Sequence, residues 1–240
     1  TVTDDVPGGG TALSIPVRDN FYGETGVLVS ELHNTDLGTC TNGMTCEAWI
    51  RVNSWATTEP QTAFGCWGQY DDNVNTFDGL YALYFYSNSG VKSAYCNCFI
   101  AGGNYNFTVD LESIDADSGW HHFAVQRRTD GNVELWVNGV FRGESSLLPP
   151  GGLPVQRTHE DHFIGTGPRR WPEASSLEVS AQFDIALYRL SNTVRHATTF
   201  TPPTTYTFDS TTVVITDFDN INELNVPVTV TNGGGGQRSG

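Results

Sequence analysis

The sequence predicts an all-β fold made of two packed antiparallel sheets, and three observations support this prediction. Short segments of alternating apolar and polar residues lie between clusters of Gly, Pro, Asn and Asp, as strands joined by turns require. The segment from Tyr81 to Tyr86 is apolar on both faces, which is typical of a strand covered on both sides. The sequence shows no amphipathic helical pattern of three turns, and its 240 residues suit one large β domain.

Alternation places the strands in order along the chain. The first seven are predicted near residues 12–17, 26–32, 44–53, 62–70, 79–87, 92–100 and 104–110. A three-stranded meander is predicted over 119–144, followed by an irregular stretch rich in Pro and Gly over 145–175. Towards the C terminus the pattern predicts strands at 181–190 and 206–218, with a helical turn at 192–197 between them.

The meander shows the strand pattern most clearly. Turns are predicted at 129–132 and 138–139, because Asp-Gly and Asn-Gly pairs tolerate the positive φ of tight hairpins. The odd-numbered residues of 133–137 are apolar and share one face, while Glu134 and Trp136 share the other. Nothing in this stretch resembles a nucleophile beside a base, so the meander is predicted to be structural framework.

Three parts of the chain differ in composition. Residues 1–10 end in three glycines and are predicted to be a flexible lead-in. Residues 11–218 are predicted to form the sandwich, and 219–240 a C-terminal extension with one short strand and a Gly-rich tail. That tail is either a linker or an arm that docks on a neighbouring subunit. No signal-peptide pattern is visible and the first residue is Thr1, so we expect that an initiator Met or a longer leader was removed.

The net charge of −15 limits the partners of the chain. Asp and Glu number 27 against 12 Lys and Arg, and Lys92 is the only lysine. Because phosphate groups are bound by clustered cations, nucleic acid and anionic membrane surfaces are not expected as partners. The sequence has no apolar run of the ~18 residues that a transmembrane helix needs, so membrane insertion is not expected either.

Five cysteines leave several states open. Cys40 and Cys46 flank a short turn and form a disulfide if their backbones approach closely enough. Cys96 and Cys98 lie two positions apart on a predicted strand, which is a poor geometry for a bond between them. A zinc site needs about four ligands at recognisable spacing, which one Cys-x-Cys pair does not supply. Buried free thiols are the expected state for most of the five.

Four segments follow one another in a recognisable order. They are MTCEAWIRVNS, SGWHHFAVQRRTDGNVELWVNGVFRG, HFIG and FDIALYRLSNTVRHATTFTPP. In this order they resemble the laminin-G-like, concanavalin A-like jelly-roll superfamily, over about residues 11–218. The resemblance implies a two-sheet antiparallel jelly-roll sandwich with its N- and C-terminal strands side by side. One departure is that the closing strand of the family usually carries Asp after its Ile, whereas Ala186 follows Ile185 here.

The resemblance also implies roles for individual residues. Trp49 and Trp120 fall on framework positions of the family, and His121 and His122 belong to the same framework. We therefore expect both histidines to be partly buried hydrogen-bonding groups rather than metal ligands or catalytic bases. The closing segment 189–203 resembles versions found in bacteriophage structural proteins and bacterial surface proteins, which favours a virion component.

Some enzymes share this fold, but their signatures are missing from the sequence. The β-glucanases of this architecture resemble one another through Glu-x-Asp-x-x-Glu, which sets two carboxyl groups on one strand face at a catalytic separation. The acidic strings DLESIDAD and HEDHFIG lack that spacing, and the Gln-Ile-His and Tyr-Phe-Lys-Ala-Gly strings of similar alginate lyases do not occur. A non-catalytic module is therefore predicted, with a carbohydrate-active enzyme as the alternative.

Loop residues supply the candidate binding groups. Aromatic side chains can stack on sugar faces, and the candidates for this role are Trp67, Tyr70, Trp171 and Trp55, with packing at the sheet edge as the alternative. Hard oxygen ligands suited to calcium come from Asp71, Asp72, Asn73, Asn75 and Asp78. This segment lacks the Gly and Glu of an EF-hand, so an Asx-rich turn without metal is the alternative. The polar cluster 159–162 is expected to be a solvated loop, since adjacent strand residues cannot converge on a metal.

Together these observations predict a surface module, borne on a virion, that attaches to glycan or to a host surface. One alternative is a purely structural decoration or fibre protein whose C-terminal tail contacts neighbouring virion proteins. The expected location is the virion surface, with a secreted or cell-surface protein as the alternative. Calcium is the only cofactor that the sequence suggests.

Overall fold

The protein folds as two antiparallel β-sheets in its computed structural model. The structure describes residues 5–15, 27–29, 42–55, 61–69, 77–100, 103–116, 118–145, 160–164, 182–216 and 230–232. Within these ranges every regular element is a β-strand, which confirms the all-β prediction. No helix capable of spanning a membrane occurs among these residues.

The strands of the described ranges follow the predicted order closely. They are β1 (Leu13–Ile15), β2 (Val27–Val29), β3 (Met44–Ser54), β4 (Gln61–Gln69), β5 (Phe77–Asn88), β6 (Val91–Ile100), β7 (Gly103–Asp110), β8 (His121–Arg127), β9 (Val133–Val137), β10 (Val140–Ser145), β11 (Glu160–Ile164), β12 (Gln182–Ser191), β13 (Thr212–Thr216) and β14 (Val230–Asn232). The meander predicted over 119–144 corresponds to β8, β9 and β10.

Strand pairing defines two seven-stranded sheets. The first sheet has the order β1-β12-β3-β8-β9-β10, with β13 also paired to β12. The second sheet has the order β14-β2-β11-β4-β5-β6-β7. Strand β1 pairs with one half of β12 and β13 with the other half, both antiparallel. Strands from the two ends of the sequence therefore lie side by side, as expected for a jelly-roll sandwich.

Two tight turns set the register of the hairpins. Asn138 and Gly139 have φ of 52° and 77°, and they join β9 to β10 as the Asn-Gly pair predicted. A Cβ atom on Gly139 would lie 1.8 Å from the carbonyl oxygen of Phe200, so no other residue fits there. Ser89 and Gly90, with φ of 52° and 87°, join β5 to β6 in the same way.

The hydrophobic core fills the space between the two sheets. The first sheet contributes alternate residues of each strand, such as Ile50 and Val52 of β3 and Phe123 of β8. The second sheet contributes Phe85, whose ring meets Phe123 edge to face with centroids 5.0 Å apart. Cys96 is also in this core, as the prediction of buried free thiols requires, and burial raises the pKa of its thiol well above the usual range. Because the apolar face points inward, the polar residues between them point away from the second sheet.

A β-bulge in β12 decides which residues of the closing strand face outward. Between the Ala186–Trp49 pair and the Arg189–Glu47 pair, β12 advances three residues and β3 advances only two. Leu187 lies in the bulge with φ of +48°, a left-handed conformation that costs a leucine about 1–2 kcal/mol. The extra residue keeps Tyr188 in the core and places Arg189 opposite Glu47 on the outer face.

Residues 192–211, which we call the strap, cross the outer face of the first sheet without regular structure. The helical turn predicted at the start of the strap is wrong. The reason is that backbone N–H groups of this segment bond to side chains of the sheet and not to carbonyls of a helix. Arg195 N donates to Thr45 Oγ1 at 3.1 Å, and His196 N donates to Gln126 Oε1 at 3.1 Å.

The end of the strap is fixed by an ion pair. Arg195 Nη1 and Nη2 each donate to a carboxylate oxygen of Asp209 at 3.0 Å. The Arg195 hydrogen bonds, joined by those from Thr211 and Thr212, hold the pKa of Asp209 well below its usual range. Strand β13 consequently begins at Thr212, six residues later than the position 206 predicted from alternation.

Both ends of the described chain pack on the sheets. Val6, from the segment predicted to be a flexible lead-in, is buried against Trp49 and Trp120 on the outer face of the first sheet. Strand β14, from the predicted C-terminal extension, pairs with β2 at the edge of the second sheet.

Candidate functional site

A row of polar residues crosses the outer face of the first sheet. Strand register builds this row: Ser14 of β1 pairs with Asp184 of β12, and Asp184 pairs with Arg51 of β3. Trp120 extends the row, since it directly precedes His121, which opens β8 beside β3. Four neighbouring segments of the chain therefore bring one residue each to the same line.

This row lines a pocket of about 490 Å³. The lining residues are Asp5, Ser14, Arg51, Asn53, Gly119, Trp120 and Asp184. The strap is bonded to the part of the sheet beyond Trp49, since Trp49 Nε1 donates to the carbonyl of Pro203 at 2.8 Å. The N-terminal segment covers the next part through Val6 and Ala12. The pocket is the polar portion of the outer face that remains beside these covering segments.

A single carboxylate oxygen organises the polar groups of the pocket. Asp184 Oδ2 accepts hydrogen bonds from Arg51 Nη2 at 2.8 Å, Arg51 Nε at 3.1 Å and Asn53 Nδ2 at 2.9 Å. The Arg51 guanidinium also lies over the Trp120 ring, 5.1 Å from its centroid. These contacts fix the orientation of the guanidinium, which bonds to the carboxylate and lies over the indole.

Two buried polar atoms of the pocket walls lack a hydrogen-bond partner within the described part of the chain. They are the second carboxylate oxygen of Asp184, Oδ1, and the indole nitrogen of Trp120, Nε1. A buried donor or acceptor left without a partner costs about 1–3 kcal/mol. One acceptor and one donor in the same pocket are therefore suited to a ligand that can both donate and accept hydrogen bonds.

A second polar cluster lies further along the same face, beneath the strap. Glu47 Oε1 accepts hydrogen bonds from Arg189 Nε at 2.8 Å and Nη2 at 2.5 Å. Glu47 Oε2 lies 3.0 Å from His196 Nε2 and 3.2 Å from His122 Nε2. The same His122 nitrogen is 3.1 Å from the hydroxyl of Tyr206. Glu47 and His122 are fully buried.

The environment fixes the charges in this cluster. Burial acts to raise the pKa of Glu47, but hydrogen bonds from His122 and His196 and the charge of Arg189 outweigh it and hold the pKa well below 4.5. Burial lowers the pKa of His122 below 6.5, with the Glu47 hydrogen bond opposing that effect. An ionised, fully bonded carboxylate under the strap is an anchor for the strap and a poor proton donor.

The two framework histidines are hydrogen-bonding groups, as expected. His121 is half-buried, with its Nε2 3.0 Å from Ser118 Oγ and its Nδ1 2.9 Å from Asn138 Nδ2. His122 also bonds through its backbone, donating to Asn138 Oδ1 at 2.9 Å. Within the described residues, no group of three His, Cys, Asp or Glu side chains is placed to hold a metal.

Most of the loop residues predicted to bind glycan or calcium lie outside the described residues. These are Tyr70, Trp171, Asp71, Asp72, Asn73 and Asn75. Trp67 lies on β4 and Asp78 on β5, two strands that pair directly, and only their backbones are described. The stacking site and the calcium site both stay predictions.

Trp55 is the one predicted stacking residue whose side chain is described. Its indole packs against the core, edge to face with Phe85 at a centroid distance of 5.9 Å. Its Nε1 donates to the carbonyl of Ile114 at 3.2 Å. These contacts correspond to packing at the sheet edge, the alternative considered for this residue.

The expectation of a solvated loop at 159–162 is wrong for its last three residues. Glu160–Ile164 form β11, which pairs with β2 on one side and with β4 on the other. Backbone bonds to two neighbouring strands therefore override the polar composition of this segment. His159 lies outside the described residues.

The sequence pattern does not by itself indicate the pocket around Asp184. The available signal was a charged residue at an outward position of an otherwise apolar strand, as Arg51 is between Ile50 and Val52. Asp184 has the same kind of position on β12, two residues before Ala186, the residue at which the sequence departs from the family pattern. Only strand register shows that the two charged residues are partners.

The strand order of the two sheets is that of a concanavalin A-like jelly-roll sandwich. Residues 23–199 match the model of the concanavalin A-like lectin/glucanases superfamily, in its laminin G type. Since the match covers more than half of the chain, the protein belongs to this superfamily. Comparison with curated protein sequences gives no match.

Solved structures with a similar fold have low sequence identity. A heptameric SAP-like pentraxin from Limulus polyphemus is 14% identical with a TM-score of 0.51, over 76% of each chain. The binding domain of botulinum neurotoxin serotype D/C is 13% identical with a TM-score of 0.50, over 78% of this chain and 44% of that one. An alginate lyase from Pseudomonas aeruginosa is 16% identical with a TM-score of 0.42, over 64% of this chain and 66% of that one. At these identities the similarity concerns the fold alone.

Proposed function

We propose that the chain is a non-catalytic module that binds carbohydrate. The observation that carries this proposal is the outer-face pocket, in which Asp184 and Trp120 each keep a buried polar atom without a partner among the described residues. Carbohydrates present many hydroxyl groups, each of which donates and accepts hydrogen bonds. Membership of a superfamily described by its lectins and glucanases supports the same class of ligand.

Binding is favoured over cleavage by the positions of the carboxyl groups. Glycoside hydrolysis needs two carboxyl groups on opposite sides of the scissile bond. Glu47 is fully buried and fully bonded beneath the strap, and Asp184 has one oxygen occupied by Arg51 and Asn53. A carbohydrate-active enzyme is the alternative. It would release cleaved sugar products, which a binding module does not form.

The loop aromatics Trp67, Tyr70 and Trp171, which we call the rim aromatics, and the calcium candidates belong to the same proposal. Trp67 lies near the end of β4 and Asp78 near the start of β5, and Tyr70 and the other calcium candidates lie between them in sequence. If the rim binds sugar, Trp67→Ala and Trp171→Ala weaken binding, and a chelator weakens it only where calcium takes part.

The setting that we propose is the surface of a virion, attached to glycan or to a host cell. The support is the resemblance of the closing segment 189–203 to versions found in bacteriophage structural proteins. A secreted or cell-surface protein is the alternative. A purely structural decoration protein is the second candidate function, which exposed apolar side chains such as Phe208 and Phe141 favour, because such residues suit protein contacts. Mass spectrometry of purified particles and of the surrounding medium distinguishes these settings.

A glycan-array screen of the purified chain, with calcium and with chelator, tests the proposed function. Reproducible binding to defined glycans is the expected result. Binding lost with chelator assigns a role to calcium, and binding kept with chelator removes calcium from the proposal. A blank array with folded protein contradicts carbohydrate binding and supports the structural candidate.

A further inference from the structure

We propose that the outer-face pocket takes a neutral sugar through two of its hydroxyl groups, one donating to Asp184 Oδ1 and one accepting from Trp120 Nε1. This inference rests on the proposed function and adds to it the place, the chemical class of the ligand and the two atoms that recognise it. Its lining residues differ from the rim aromatics and the calcium candidates that the sequence suggests.

Some hydrogen-bonding atoms of the pocket are bonded within the described chain, and two buried ones are not. Asp184 Oδ2 is saturated by Arg51 and Asn53, while Oδ1 accepts no bond from the described residues. Trp120 Nε1 can only donate, and an ionised carboxylate can only accept. A ligand that satisfies both must offer a donor and an acceptor. Two hydroxyl groups of one sugar provide this pair.

The charge of the pocket selects a neutral ligand. Two of its lining residues, Asp5 and Asp184, are acidic, and its one cation, Arg51, is already paired with Asp184. The whole chain carries a net charge of −15, which repels anions at long range. A uronic or sialic acid would therefore meet carboxylates without a free cation. The sugar recognised here carries no carboxylate.

The aromatic group of this pocket contacts the ligand by its edge. The Arg51 guanidinium covers one face of the Trp120 ring, 5.1 Å from the centroid, so a sugar does not stack on that face. The N–H lies at the edge of the indole and remains without a partner in the described structure. Recognition at this site therefore differs in kind from stacking on a rim tryptophan.

Both recognition atoms are buried beneath the pocket surface in the structure. The inference therefore requires the pocket wall to move when the sugar binds, with the Arg51–Asp184 ion pair and the Arg51–Trp120 contact kept.

The test is a titration of ¹⁵N-labelled protein with methyl α-mannopyranoside, methyl α-galactopyranoside and methyl β-glucuronide, followed by NMR. The Trp120 indole signal is identified by its loss in Trp120→Phe. We expect this signal to shift with at least one neutral glycoside and not with the glucuronide. We also expect Trp120→Phe and Asp184→Asn to weaken the affinity at least tenfold.

A second tryptophan provides the matched control. Trp49 Nε1 is bonded to the Pro203 carbonyl, whereas Trp120 Nε1 has no partner among the described residues. Trp49→Phe should therefore lower the melting temperature and leave sugar affinity within twofold. Trp120→Phe should weaken sugar affinity at least tenfold without lowering the melting temperature. Glycan binding that survives both Trp120→Phe and Asp184→Asn overturns this inference and leaves the proposed function standing. Tighter binding of the glucuronide overturns the neutral-ligand assignment, and no binding of any sugar by the wild type removes both proposals.

Discussion

The buried carboxylate beneath the strap provides a quantitative test of how the outer face is held together. Glu47→Gln keeps the shape of the side chain but removes its charge. The carboxylate receives two bonds from Arg189 and faces the Nε2 atoms of His122 and His196. The amide has only one acceptor oxygen, so its NH₂ group takes the place of a carboxylate oxygen either at the Arg189 donors or at the two imidazole nitrogens. At about 1.5–3 kcal/mol for each charge-assisted bond, two lost bonds amount to about 3–6 kcal/mol, and breaking a buried ion pair typically costs about 3–5 kcal/mol.

Urea unfolding at pH 7 measures this loss. We expect Glu47→Gln to lower the free energy of unfolding by about 3–5 kcal/mol with an unchanged slope. The matched control is Glu112→Gln, since Glu112 is exposed in a turn and its substitution should stay within about 0.5 kcal/mol of the wild type. A loss below about 1 kcal/mol for Glu47→Gln would show that the Arg189 charge is compensated elsewhere, and would refute the anchor assignment.

Three further predictions concern stability. Arg127 is fully buried and its guanidinium has no partner among the described residues, so Arg127→Met should raise stability by about 1–4 kcal/mol in thermal unfolding, and a lower melting temperature would contradict this. Asn138→Ala should cost about 1–2 kcal/mol by urea unfolding, because Asn138 has a positive φ and accepts a bond from the His122 backbone, whereas Asn138→Gly should cost less. Wild-type stability should fall as the pH drops below 6.5, because His122 takes up a proton in the unfolded chain while burial lowers its pKa in the folded chain. Stability should fall again below pH 4.5, because Glu47 takes up a proton in the unfolded chain while its lowered pKa keeps it ionised in the folded chain. A urea midpoint that rises between pH 7 and pH 5 would contradict that sign.

Much of the fold could be predicted from the sequence because local patterns determine it. The odd-numbered residues of 133–137 face the core as their alternation indicates, and Asn138-Gly139 forms the expected turn. The strap could not be predicted in this way. Its backbone bonds to Thr45 and Gln126, about 150 and 70 residues away in the sequence, and no local pattern encodes such partners.

The candidate site was less predictable than the fold for a similar reason. Loop aromatics such as Trp67 attract attention because their residue type suggests sugar binding. The pocket instead depends on register, which sets Asp184 beside Arg51, although 133 residues separate them in sequence. The bulge at Leu187 adds a residue that the alternation of β12 does not reveal. Charged residues at outward strand positions can be found from sequence, but their partners follow only from the paired sheet.

The most direct test of the central proposal measures binding and cleavage in one sample. The wild-type chain is titrated by calorimetry with the oligosaccharide that the array selects, and the sugar is then recovered and sized by mass spectrometry. We expect saturable binding and an oligosaccharide recovered at its original length. Shortened products would show an enzyme, and the absence of binding by folded protein would contradict a carbohydrate-binding module.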